Sequence, residues 1–194
     1  MKRNAIGTVV LLASLLFGAS QAEESKFRLM GLCSADRVDD FKEFAKTMPD
    51  ISLVSVDFDS TEVVLTYEFE KLFPGQNFKK KPPTPEAIEK RLNELLHNAS
   101  RGSFTFKPLS TLAKDKEKVE EFNVGMLDCK GCRYGVYSAV SKVDGVERAQ
   151  VNSEKGILKL WIDPAKTNRT ALEEVLKKAH IELPGHEEET KKKK

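Results

Sequence analysis

Three cysteines, three histidines and a single tryptophan are all that 194 residues supply of these types, and each scarcity excludes something. An odd number of cysteines does not make the disulfide framework of a small secreted domain. His97, His180 and His186 stand at no ligand spacing from the cysteines. The formal net charge is only +2, and no basic stripe interleaves with aromatics, so nucleic acid is not an expected partner. The apolar run from Val9 to Phe17 is too short to cross a bilayer as a mature helix. No nucleophile is set beside a base, and no paired carboxylates or phosphate loop can be found, so catalysis is not expected.

What is present begins with an address. Lys2-Arg3, the short apolar core and Gly18-Ala19-Ser20-Gln21-Ala22 have the layout of a signal peptide cleaved near Ala22. A periplasmic or secreted protein without stable membrane insertion is expected. Removing Lys2 and Arg3 brings the 32 basic residues to 30, equal to the 30 acidic ones. At the far end Glu187-Glu188-Glu189 meets Lys191 to Lys194, a charge-block tail that is expected to be disordered.

Between these ends the chain repeats itself. Sliding residues 27–67 onto 122–162 at an offset of 95, without a gap, superposes the apolar positions: Phe27 on Phe122, Leu32 on Leu127, Phe41 on Val136, Val54 on Ala149, Leu65 on Leu160. Within each copy, Phe41, Phe44, Ala45 and Met48, like Val136, Ala139, Val140 and Val143, keep helical spacing. Val54 and Val56, then Val63, Leu65 and Tyr67, alternate as strands do. A second helix carries Leu92, Leu95, Leu96 and Ala99, introduced by Thr84-Pro85, or Leu172, Val175, Leu176 and Ala179. Final strands are expected at Phe104 to Lys107 and Ile181 to Leu183. The class is α+β, two βαββαβ ferredoxin-like domains, each an antiparallel sheet with two helices on one face. The expected divisions are 1–22 signal peptide, 23–109 first domain, 110–117 linker, 118–183 second domain and 184–194 tail. Phe69 to Pro83, with Lys79-Lys80-Lys81, reads as a surface insertion in the first copy.

Cys129-Lys130-Gly131-Cys132 falls where a strand of the second copy gives way to a helix. That spacing brings two sulfurs within reach of one soft cation, and thiolates select Cu(I), Zn and similar metals. At a helix start the dipole and unpaired N–H groups favour the thiolate. Lys130 is placed to offset thiolate charge, and Gly131 to permit a tight loop. At the same offset the first copy has Ser34 and Arg37, and its only cysteine, Cys33, aligns with Asp128; arginine has no lone pair to give a metal. The first copy is read as lacking the site, with a structural or partner-binding role.

With Leu127 before the cysteines, then Val136, Val140, Val143, Gly145-Val146, Ala149, Val151 and Ile162-Asp163-Pro164 after them, residues 118–183 resemble the heavy-metal-associated domain family. That family includes copper chaperones, modules of copper-pumping ATPases and periplasmic mercury-binding proteins. The resemblance implies binding of a soft metal ion by Cys129 and Cys132, Cu(I) before Hg(II) or Zn(II), for transport or sequestration, with a donor or acceptor protein as a further partner. Asp128 departs from the family pattern by adding negative charge beside the thiols. Two other readings stand beside it: a thiol–disulfide redox protein, with Cys129 attacking and Cys132 resolving, and an interaction module in which the cysteines are incidental. Trp161 is out of phase with Leu160 and Ile162, so it is expected to face away from the helices, against the other domain.

Overall fold

The computed structural model describes residues 22–76 and 82–184. The segment through Gln21 read as a signal peptide, Lys79-Lys80-Lys81, His186 and the charged end of the chain lie outside the described residues.

The first domain runs β1 (Glu23–Met30), α1 (Arg37–Lys46), β2 (Ile51–Val56), β3 (Glu62–Tyr67), α2 (Phe69–Leu72), α3 (Pro85–Ser100) and β4 (Thr105–Lys107). The second runs β5 (Lys118–Asn123), α4 (Lys130–Val140), β6 (Val146–Asn152), β7 (Ile157–Ile162) and α5 (Arg169–Lys178). The sheets have strand orders β2-β3-β1-β4 and β5-β7-β6, with every pairing antiparallel. This is the ferredoxin-like α+β class. β3 and β7 sit at the 95-residue offset with no slippage, because each alternates one buried and one half-buried residue along its whole length.

One helix pair covers each sheet. Phe41 and Ala45 of α1, with Leu92 and Leu96 of α3, share a core with Val63 and Leu65. Phe41 meets Phe104 edge-on at 5.4 Å. The second core is more aliphatic, with Val136, Val140, Leu158, Leu160, Leu172 and Leu176. The helix starts are capped as their sequences imply. Thr84 Oγ1 accepts from Ala87 N–H at 3.3 Å before α3, with Pro85 at the first position, and Asn168 Oδ1 accepts from Ala171 N–H at 3.1 Å before α5.

Three expectations need correction. Val54, aligned with the buried Ala149, is 56% exposed. The pairing of β2 jumps from Leu53 to Ser55, so a bulge turns Val54 outward. In β6 the jump comes earlier, between Val146 and Arg148, and Ala149 stays inside. Ile181 to Leu183 form no strand. His180 turns left-handed (φ 57°) where α5 ends, Ile181 N–H donates back to Leu176 O at 3.0 Å, and Ile181 and Leu183 pack on the second core instead. The insertion is not wholly superficial either. Its start folds as α2, with Leu72 fully buried and its carbonyl accepting from Arg91 Nε at 3.0 Å.

Candidate metal site

The loop from Val124 to Asp128 delivers the thiol pair to the protein surface. Val124 N–H donates to Gly156 O at 2.8 Å, and Gly125 takes φ +73°. Gly156 is required opposite it, since a Cβ there would lie 2.8 Å from the Gly125 backbone. Leu127 drops onto the second core, which pulls the loop down on one side, while Met126 stands 74% exposed. Cys129 and Cys132 are both exposed.

Cys129 is the N-cap of α4, and its Sγ accepts from Cys132 N–H at 2.9 Å. A sulfur placed there receives an otherwise orphaned donor and the positive end of the helix. The two cysteines are disulfide-bonded, with Cα atoms 5.2 Å apart. In that state the sulfurs share a bond. Two electrons and two protons convert them to thiols, whose deprotonated forms are two adjacent soft donors. Gly131 is not needed for the turn: it is helical, and a Cβ would meet only Cys129 Sγ, at 3.9 Å. Among the described residues no group of three or more His, Cys, Asp and Glu side chains could hold a metal, so the pair stands alone as a donor set.

The charges around the pair belong to a contact between the domains. Lys130 Nζ pairs with Asp40 Oδ1 at 3.2 Å and Asp36 Oδ2 at 3.6 Å. Its charge is therefore engaged by the first domain rather than directed at the sulfurs, which corrects the reading of Lys130 as the thiolate counter-ion. The Asp40 carboxylate raises the Lys130 ammonium above its ordinary value. Burial works to raise the Asp36 carboxyl, but the Ser34 hydroxyl and the Arg133 guanidinium outweigh it and hold the group below its ordinary value.

The matching loop of the first domain has become the dock. Ser34, at the place of Cys129, is buried and donates to Asp36 Oδ1 at 2.6 Å. Arg37, at the place of Cys132, donates to Gly31 O at 3.2 Å, pairs with Asp40 at 3.0 Å and stacks 4.1 Å over Phe104. Cys33 has no exposed surface and belongs to the second domain's core, where burial raises its thiol above the ordinary value. Its carbonyl accepts from Val151 N–H at 2.7 Å. The contact widens through Tyr137 Oη, which accepts from Gly31 N–H at 2.7 Å, and through Arg28, which donates to Glu147 O at 2.7 Å and to its carboxylate at 2.6 Å. Gln150 Nε2 donates to Phe58 O, and Arg148 Nη1 to Asp59 O, both at 2.7 Å. Trp161 is half-buried under cations of its own domain, Arg148 at 4.4 Å and Lys159 at 5.2 Å. Arg148, which lies over its ring, is the same side chain that reaches Asp59 O of the first domain.

Sequence reasoning placed Cys129 and Cys132 together and missed Asp36, Asp40, Arg133 and Tyr137. Nothing in one copy's pattern marks them, because each acts across the two copies. His97 lies in the last turn of α3 and His180 just past α5.

No protein-family model matches the sequence, and no curated protein matches it. Among solved structures, the chain is similar to the water-soluble region of the P-type ATPase CopA from Bacillus subtilis. The identity is 18% over 87% of this chain and 95% of that one, with a TM-score of 0.32. It is likewise similar to the N-terminal soluble domains of Bacillus subtilis CopA, 17% identical over 85% of this chain and 94% of that one, with a TM-score of 0.32. Among the described residues no helix is long and apolar enough to cross a membrane.

Proposed function

We propose that the reduced second domain binds one soft metal ion, Cu(I) before Hg(II), between Cys129 and Cys132, and carries or sequesters it outside the cytosol. The observation that carries this reading is the exposed sulfur pair at the start of α4, with Cα atoms 5.2 Å apart and a backbone N–H aimed at Cys129 Sγ. Two thiolates suit a two-coordinate thiophilic ion; tetrahedral zinc would need two more ligands from water, a partner or a second molecule. The resemblance of residues 118–183 to heavy-metal-associated domains supports the same ion class. Exposure suits transfer, because an incoming thiolate can reach the metal before an old one leaves. The first domain, 23–109, has no second cysteine pair and acts as a docked companion, joined through 110–117. The chain is a carrier rather than an enzyme. Its placement in the periplasm or outside the cell rests on the leader pattern of residues 1–22.

Reduced full-length protein, loaded anaerobically with one equivalent of Cu(I) and passed through gel filtration, is expected to retain the metal. Cys129→Ser and Cys132→Ser are expected to lose it. Equal retention by the serine variants would refute the reading. The disulfide also favours a redox reading, for which the discriminating result is catalytic turnover of a disulfide substrate.

A further inference from the structure

Arg133 lies one residue past the thiol pair, yet its head group spans both domains. Nη1 donates to Asp128 O at 3.1 Å and Leu127 O at 3.3 Å, the two carbonyls that lead into Cys129. Nη2 donates to Asp36 Oδ2 at 3.0 Å, and Asp36 is fixed in turn by Ser34, which stands where the second domain has Cys129. The Arg133 side chain is only 11% exposed, and its Nε is buried without a hydrogen-bond partner. A fold that leaves that N–H unsatisfied gives up free energy there, so the Nη contacts are what hold the fork in place. The planar fork addresses the two carbonyls from one nitrogen and the carboxylate from the other in a fixed geometry, which the single nitrogen of a lysine ammonium does not reproduce.

We infer that Arg133 is a positioning residue for the Cys129–Cys132 pair, anchored from the first domain by Asp36, so that the docked first domain keeps the two sulfurs at their spacing. In its biological meaning this rests on the soft-metal reading, but the spacing itself can be measured without metal. A restrained loop keeps each sulfur at high effective concentration at the other, and the same restraint lowers the ordering cost of closing a two-sulfur chelate. Loosening the loop weakens both in the same direction.

The test uses the full chain in glutathione buffers. In the exchange, the Cys129–Cys132 disulfide and two glutathione thiols give two cysteine thiols and glutathione disulfide. The protein S–S bond breaks, the glutathione S–S bond forms, two electrons pass to the protein, and the two thiol protons end on Cys129 and Cys132. Arg133→Lys, which keeps the charge and loses the fork, is expected to shift this equilibrium toward the dithiol by about tenfold, the scale seen when groups supporting a ligand are removed. Asp36→Asn is expected to shift it less and in the same direction. Cu(I) affinity, read by competition with a chromophoric chelator, is expected to fall in parallel. A side chain that merely joins the domains would lower the unfolding temperature and leave the glutathione equilibrium unmoved, and that result would overturn the inference. A shift in Arg133→Lys with none in Asp36→Asn would overturn the first domain's part in it. If Arg133→Lys does not fold, Asp36→Asn decides alone. If the wild-type chain takes up no Cu(I), the metal reading fails, while the glutathione equilibrium still decides the role of Arg133.

Discussion

Tyr137 Oη accepts the Gly31 N–H at 2.7 Å across the two domains, and burial pushes the phenol up to about 12 from its ordinary 10.0. Replacing the tyrosine with phenylalanine strands a backbone donor at the dock, at a cost of about 1–3 kcal/mol. Denaturant unfolding of Tyr137→Phe against wild type measures it.

The same phenol makes the fold sensitive to base. Its folded value lies above its unfolded one, so the stability it contributes is fully present below pH 10 and is lost as pH rises toward 12. At 1.36 kcal/mol per unit, the loss is roughly 2–3 kcal/mol. Stability measured from pH 9 to 12 is expected to fall more steeply in wild type than in Tyr137→Phe.

The acid side has the opposite sign. Asp36 is held below its ordinary 3.8, so its contribution is present above that value and is lost as pH falls through the folded value. Small-angle scattering in acid is expected to show the domains separating, and Asp36→Asn is expected to be already loosened at neutral pH. A wild-type profile that is flat on acidification, with an unchanged variant, would exclude the ion pair as a docking contact.

Cys33 separates from the other two thiols by burial alone. After reduction of the native protein, Cys129 and Cys132 are expected to alkylate readily, and Cys33 only once denaturant is added. Cys33→Ser places a hydroxyl in the second domain's core and is expected to cost about 1–3 kcal/mol without changing metal stoichiometry.

Much of this architecture can be read from the chain because each copy repeats one pattern. The alternation of Val63, Leu65 and Tyr67, matched by Leu158, Leu160 and Ile162, falls within β3 and β7 and marks their buried faces. The fate of Val54 could not be read, because a bulge depends on how the neighbouring strand twists rather than on hydrophobic period. Nor could the dock. Ser34, Asp36 and Arg133 look like ordinary polar surface until the copies are brought face to face, and Cys33 finishes a core that belongs to the other copy. The thiol pair was legible because both sulfurs lie within one helix turn; the carboxylate that anchors Arg133, which holds its loop, comes from 97 residues away.

Val54 and Ala149 turn that lesson into a measurement. Val54→Thr is expected to change stability by less than about 0.5 kcal/mol, as at an exposed site. Ala149→Leu, at the equivalent position inside the core, is expected to cost about 1–3 kcal/mol by overpacking.

The most direct test is an anaerobic Cu(I) titration of reduced protein against a chromophoric chelator, with Cys33→Ser, Cys129→Ser and Cys132→Ser in parallel. One tight Cu(I) per chain is expected in wild type and in Cys33→Ser, and none in the other two. Uptake that is indifferent to Cys129 and Cys132, or no uptake by the wild-type chain, would contradict the assignment of the sulfur pair as the metal site.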